Sequence, residues 1–215
     1  MLNKPERISW GMYLKWGFIK HVRRKILGNI CKFILMTKPV WRDIVDYKSK
    51  VKNYSNFDKK YIDYCKYLSI YHTIRKLKPK FVLECGSGIS TAIIAKALEE
   101  NGMGKLISMD EYEKFGSVVS KIVGSSVEMH ISETVEDVYQ GMPGTRYKNL
   151  PNYFYDIVFV DGPVTKTIDL DAFYVLEKHP YAKVLIDCRV ATINALRTKY
   201  KGGYNPFTNM GRINF

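Results

Sequence analysis

The sequence predicts a doubly wound α/β fold, a mostly parallel sheet with helices on both faces, preceded by a basic helical extension. From residue 81 onward, short runs rich in β-branched residues alternate with runs of helical apolar spacing, and each parallel crossover needs such a helix. The first of those strands ends in an acid and a glycine pair, Glu84-Cys-Gly86-Ser-Gly88. Before residue 81 the apolar side chains recur at three- and four-residue spacing. A chain of 215 residues, 46% hydrophobic and 13% aromatic, can bury one core but hardly two full-sized ones, so one domain with an extension is expected.

From Trp10 to Met36, the residues Phe18, Ile19, Val22, Ile26, Ile30, Phe33 and Ile34 fall at helical spacing with Lys20, Arg24, Lys25, Asn29 and Lys32 between them. The pattern predicts an amphipathic basic helix. It suits either an anionic membrane surface, with Trp10, Tyr13 and Trp16 near the headgroups, or an apolar stripe packed on the domain. Pro39 reads as a helix stop and Asp46 to Asn56 as a connector, which divides the chain into an extension over 1–56 and a domain over 57–215. A second helix is expected from Phe57 to Leu77, with Tyr61, Cys65, Leu68, Tyr71, Ile74 and Leu77 on one face and Pro79 closing it.

Strands are then expected at Phe81–Cys85, Lys105–Asp110, Val127–Ile131, Asp156–Asp161 and Val184–Asp187. Helices are expected between and after them at Thr91–Glu100, Glu113–Ile122, Glu133–Tyr139, Asp169–Lys178 and Ala191–Tyr200. The tail, with Gly202, Gly203, Pro206 and Gly211, suits two short antiparallel strands around Tyr204–Thr208 and Arg212–Phe215. Ligands of such sheets bind at the carboxyl ends of the strands, where the strand order reverses.

The net charge of +13 is unevenly placed: the first 80 residues carry 20 Lys and Arg against 5 Asp and Glu. That imbalance points to an anionic partner for the extension, a phospholipid surface, a nucleic acid or an acidic glycan, with a solvated basic face as the plain alternative. The four cysteines form no C-x-x-C pair, and no secretory h-region opens the chain, so a reduced, cytoplasmic location is expected, peripheral to a membrane if the first helix docks on one. Charges interrupt the most apolar stretch, which excludes a spanning segment from the expectation.

In Phe81-Val-Leu-Glu-Cys-Gly-Ser-Gly-Ile-Ser-Thr91, glycines stand where the backbone must turn sharply and let a ligand approach, and Ser90 or Thr91 suits the helix N-cap. A dinucleotide fingerprint would place Gly or Ala three residues after Gly88, where this chain has Thr91. The pattern instead resembles the acid-x-Gly-x-Gly signature of class I S-adenosylmethionine-dependent methyltransferases, which have a Rossmann-like fold; Ser90 fills a position that is often Gly.

That resemblance spans roughly residues 81–190 and implies S-adenosyl-L-methionine as cofactor. It implies that the loop Gly86-Ser87-Gly88-Ile-Ser90 wraps the methionine and ribose part and that Glu84 helps hold the amino end. Asp110, at the end of the second strand, would accept the two ribose hydroxyls, with Glu111 as the neighbour that could replace it. Ser132, Glu133 or Glu136 would meet the adenine edge. Asp161, closing Tyr155-Asp-Ile-Val-Phe-Val-Asp161-Gly-Pro, would face the crevice as the base that takes the acceptor's proton, with His130 a weaker candidate.

For the acceptor, Asp161-Gly-Pro-Val lacks the Asn/Asp-Pro-Pro-aromatic run of adenine amino-methylating enzymes. The strand-end pair Asp161 and Asp187-Cys188 resembles catechol-type O-methyltransferases, in which two aspartates and an Asn hold magnesium, but a soft Cys188 sulfur is a poor ligand for that hard ion. No metal is therefore the first expectation, with Asp161 and Asp187 the pair that would bind one. Thr165, Lys166 and Arg189 are placed to bind a carboxylate or phosphate on the acceptor. Methyl transfer to a hydroxyl of a small molecule, glycan or lipid-linked acceptor follows, with a nucleic-acid methyltransferase or a non-catalytic nucleotide-binding module as alternatives.

Overall fold

The computed structural model describes residues 25–51, 63–123, 127–163 and 167–215. Helix α1 is described over residues 25–36 and is followed by α2 (Val40–Val51) and α3 (Tyr64–Leu77). Then come β1 (Phe81–Cys85), α4 (Ile89–Asn101), β2 (Lys105–Asp110), α5 (Glu113–Val123) and β3 (Val127–Ile131). A hairpin of β4 (Thr134–Tyr139) and β5 (Met142–Tyr147) precedes β6 (Ile157–Val160), β7 (Ile168–Asp169), α6 (Asp171–Lys178) and β8 (Lys183–Asp187). The chain closes with α7 (Val190–Arg197), β9 (Gly202–Asn205) and β10 (Met210–Ile213).

The main sheet has the order β3-β2-β1-β6-β8-β10-β9. Its first five strands are parallel, and β10 runs antiparallel to β8 and β9. The chain winds outward from β1 to β3, then returns to β1's other side at β6. The order therefore reverses between β1 and β6, which is where a doubly wound sheet opens its ligand crevice.

Alternation along the strands feeds two cores. Val82, Ile157 and Phe159 face one side with Leu35, Val40, Ile44, Ile70, Ile74, Ile93 and Ile94. Leu83, Val158 and Val160 face the other with Tyr139, Tyr147, Leu170 and Phe173. Burying each such aliphatic side chain stabilises by roughly 1.5–3 kcal/mol, so α1 and α2 are built into the core through the fully buried Leu35, Val40 and Ile44. The packed unit thus takes in residues that the sequence pattern had assigned to an extension. Ile26, Ile30, Phe33 and Met36 stay exposed on α1. Residues 1–24, with Trp10, Tyr13 and Trp16, lie outside the described residues.

Three expectations change. Pro39 does separate two helices, but α2 continues to Val51 through the start of the expected connector: Pro39 lies at its first turn, where a missing N–H costs nothing. The expected helix Glu133–Tyr139 is strand β4, joined to β5 by the two-residue turn Gln140-Gly141 with φ of 49° and 82°, the left-handed pair that matches strand twist. The N-cap of α4 is Gly88, not Ser90 or Thr91. Asp63 caps α3 by accepting from the Lys66 N–H at 3.2 Å; the expected start at Phe57 falls outside the described residues. Both tail strands form, shifted by a few residues.

Candidate active site

The carboxyl ends of β1, β2 and β6 meet at the loop that follows Cys85, and the end of β8 lies beside that of β6. Gly86 has φ +92°, and an added Cβ would meet the Gly162 nitrogen at 2.5 Å and the Asp161 carbonyl carbon at 2.8 Å. Backbone against backbone cannot give way cheaply, so glycine here lets the β1 loop close on the end of β6. Hydrogen bonds from the Asp161 and Gly162 N–H groups to Cys85 O, at 2.8 and 2.5 Å, lock that contact. Gly88 differs: nothing but the Ser90 Oγ, at 4.0 Å, lies near where its Cβ would be, so the backbone there faces open space.

Glu84 lies beneath this loop, fully buried. Its Oε2 accepts from Thr91 Oγ1 and Ser108 Oγ, each at 2.6 Å, and Thr91 Oγ1 in turn accepts from the Gly88 N–H at 2.8 Å. One carboxylate thereby ties β1, β2 and the start of α4 together. Burial pushes the Glu84 pKa up to about 7, against the pull of the Ser108, Ser90 and Thr91 hydroxyls. Its Oε1 is buried without a hydrogen-bond partner among the described residues, an orphan acceptor.

Asp110 ends β2 on the crevice side. Its Oδ2 accepts from the Ser87 N–H at 3.3 Å and from Ser87 Oγ, and its Oδ1 from the Tyr112 N–H at 2.8 Å. The Ser132 N–H donates to Asp110 O at 3.0 Å, which brings the end of β3 alongside. Glu111 follows, partly exposed; Glu133 is exposed and pairs with Lys148 at 3.3 Å; Glu136 lies exposed on β4. An open Gly88 backbone, the Asp110 carboxylate beside Ser87 and the orphan Glu84 oxygen fit a cofactor with adjacent hydroxyls and an amino group.

Asp161, at the end of β6, keeps 37% of its side-chain surface exposed. Burial pushes its pKa up to about 7; the Lys66 ammonium pulls it down and the neighbouring Asp187 carboxylate pushes it further up. The Lys66 Nζ, from α3, lies 2.5 Å from Asp187 Oδ2 and 3.8 Å from Asp161 Oδ2. Burial opposes its charge, yet the Asp161, Tyr67 and Asp187 groups hold its pKa above the ordinary value.

Arg189, expected to meet the acceptor, turns inward: Nη1 donates to Asp169 Oδ1 at 2.8 Å and Nη2 to Asp161 O. Asp169 is in turn held by Thr192 Oγ1 at 2.8 Å. Arg189 thus fixes the backbone that carries Asp161. His130 hydrogen-bonds Glu128 at 2.5 Å, and Glu128 also takes Lys105, from the amino end of β2, and Tyr153. That grouping draws His130 away from the crevice. Thr165 and Lys166 lie outside the described residues.

A magnesium ion does not fit this donor set. Cys188 stands where an oxygen ligand would be wanted; burial, then Asp187 and Asp161, push its thiol pKa up and keep it protonated, and an ammonium already sits on Asp187. Among the described residues no three His, Cys, Asp or Glu side chains converge to hold an ion. Sequence patterns missed Lys66, which is 121 residues from Asp187 and carries no local signal. Ser108 was more accessible: it is a polar residue inside an apolar strand, in register with Glu84.

No curated protein sequence matches the chain. Residues 83–186 match a family model described as a methyltransferase domain. Among solved structures, a methyltransferase from Geobacter sulfurreducens superposes with TM-score 0.55 at 13% identity, over 86% of this chain and 95% of the other. The O-methyltransferase TomG from Streptomyces achromogenes, involved in tomaymycin synthesis and solved with S-adenosylmethionine, gives 0.53 at 13% identity, over 88% and 96%. An O-methyltransferase from Bacillus cereus, solved with S-adenosylhomocysteine, gives 0.51 at 12% identity, over 86% and 82%. Identities this low speak for the fold alone. The chain thus carries a methyltransferase domain over the β1–β8 span, on a sheet of this order with an acid-x-Gly-x-Gly loop at its switch point.

Proposed function

We propose that this chain transfers a methyl group from S-adenosylmethionine to a hydroxyl oxygen of a small-molecule, glycan or lipid-linked acceptor. Asp161 carries the proposal: a partly exposed carboxyl, raised to about 7, at the strand end that abuts the glycine loop. A base titrating near neutrality is matched to taking a proton from a hydroxyl as its oxygen is alkylated. The O-methyltransferase activity of the TomG and Bacillus cereus neighbours agrees with an oxygen acceptor.

The residues that would hold the cofactor are Asp110, by its carboxylate, Gly88, by the open space beside its Cα, and Glu84, by its orphan oxygen, with Ser87 fixing the Asp110 carboxylate. Bound there, S-adenosylmethionine supplies a methyl group on a positively charged sulfur. The protein's own part is to orient the acceptor and hold the proton. Asp161 Oδ atoms accept it, Arg189 fixes the Asp161 backbone, and the loop contact at Gly86 sets the distance between the two halves of the crevice.

Isothermal titration with S-adenosylmethionine, S-adenosylhomocysteine and NAD tests the site, with Asp110→Ala alongside. Hydrogen bonds to a charged acceptor contribute about 1.5–3 kcal/mol each, so losing the Asp110 carboxylate should weaken both sulfur ligands by at least about tenfold. Binding of NAD alone would overturn the proposal.

A further inference from the structure

The carboxyl ends of the neighbouring parallel strands β6 and β8 bring two carboxylates, Asp161 and Asp187, to one side of the crevice. Such a pair is half of a binding site for a hard divalent cation. Here a cation of the chain's own reaches it. Lys66 Nζ lies 2.5 Å from Asp187 Oδ2 and 3.8 Å from Asp161 Oδ2, with only 10% of the Lys66 side chain exposed.

The lysine is delivered, not stray. Asp63 caps the helix one turn before it, Ile70 and Ile74 are fully buried further along α3, and the Tyr67 ring lies 5.0 Å from the ammonium. The backbone at Lys66 is therefore anchored by the cap on one side of the charge and by packing on the other.

We propose that Lys66 is a built-in cation of this site: its ammonium, held between Asp161 and Asp187, occupies the place of a divalent ion and orients the acceptor oxygen toward Asp161, so that the site works without metal. The proposal rests on the reading of this crevice as the methyl-transfer site. An ammonium cannot share the two carboxylates with a divalent ion without strong like-charge repulsion, which makes lysine and metal mutually exclusive. It also supplies directional N–H donors, which a simple ion pair at the surface would leave to water.

Manganese binding, followed by the loss of the free Mn²⁺ EPR signal on titration, tests it without needing the acceptor. Wild-type protein should take up no Mn²⁺ at this pair. Lys66→Met, checked for folding by circular dichroism, should gain one site per chain, at least about tenfold tighter than any uptake by wild type, because two unneutralised carboxylates then face each other. Adding Asp187→Asn to Lys66→Met should remove that site. Lys66→Gln, which keeps a polar side chain, is measured in parallel.

Wild-type uptake of Mn²⁺ that Asp187→Asn abolishes would overturn the proposal, as would a folded Lys66→Met or Lys66→Gln that gains no site. If neither variant folds, the wild-type titration decides alone. S-adenosylmethionine affinity, measured in the same proteins, separates the two conclusions: a wild-type chain that binds none overturns the proposed function, whatever the manganese result.

Discussion

Gly86 and Gly102 both sit at positive φ, +92° and +66°, but only one of them has a neighbour. An added Cβ at Gly102 meets nothing within 4 Å, so Gly102→Ala should cost only the left-handed strain of about 1–2 kcal/mol. At Gly86 the same methyl group would lie 2.5 Å from Gly162 N and 2.8 Å from the Asp161 carbonyl carbon. To regain ordinary van der Waals separation the β1 and β6 loops must part by roughly 0.5–1 Å, breaking dispersion contacts and stretching the bonds to Cys85 O. A misplacement of that size between binding loop and base is enough to cost about a hundredfold in rate. Paired melting curves and titrations read both effects. Gly102→Ala should lower Tm by about 2–8 °C, from that strain, and leave S-adenosylmethionine affinity unchanged. Gly86→Ala should lower Tm further and weaken the cofactor at least about tenfold, as the loop that seats it is displaced. Equal Tm losses with equal, retained affinity would refute the assignment of Gly86 to loop closure.

Asp161 must be ionised to accept a proton, so turnover should rise as pH climbs through about 7 and level off above it. Asp161→Asn should keep cofactor affinity and lose about 10²–10⁴ of turnover; a flat pH–rate profile in the wild type would remove Asp161 from the role of base. Glu84 tests the buried support in the opposite sense. Its folded pKa of about 7 lies above the ordinary 4.5, so the stability of its neutral form is complete below about pH 4.5 and is lost as pH rises through 7. The loss approaches ~3 kcal/mol at the top of that window. Glu84→Gln, which cannot ionise, should therefore show a flatter fall of Tm between pH 5 and pH 8, while Asp171, raised to about 8 by burial, leaves a residual slope in both proteins. Identical slopes would mean that Glu84 does not titrate in the folded chain.

What was legible in the sequence was whatever repeats. The five parallel strands stand out because burial on both faces makes them continuous apolar runs, and the helices between them because each must cover one face. The glycine loop and its two acids were legible because the turn and the ligand approach restrict which residues can stand there. The β4–β5 hairpin was not: its turn is Gln140-Gly141, without the Asn or Asp that usually announces a left-handed pair, and its strands are half-exposed. Nor was α2, because Pro39 marks the end of one helix and the beginning of the next with the same residue.

Lys66 belongs to a different kind of blindness. On helix α3 it neighbours the apolar face that packs against the sheet, and sequence spacing alone would send a lysine there to solvent. Only the fold reveals that the crevice lies across that face, with two carboxylates waiting at strand ends 95 and 121 residues downstream. A buried charge of this sort is tolerated because its partners are charged too, and removing any one of the three leaves the others uncompensated. The same three side chains that make the site hard to read locally make its behaviour interdependent. Asp161→Asn should therefore leave Lys66 on Asp187 at 2.5 Å, whereas Asp187→Asn takes away the ammonium's nearest partner and shifts it toward Asp161. A closer ammonium holds the base's proton affinity down, so the alkaline rise of turnover in Asp187→Asn moves to lower pH than in the wild type.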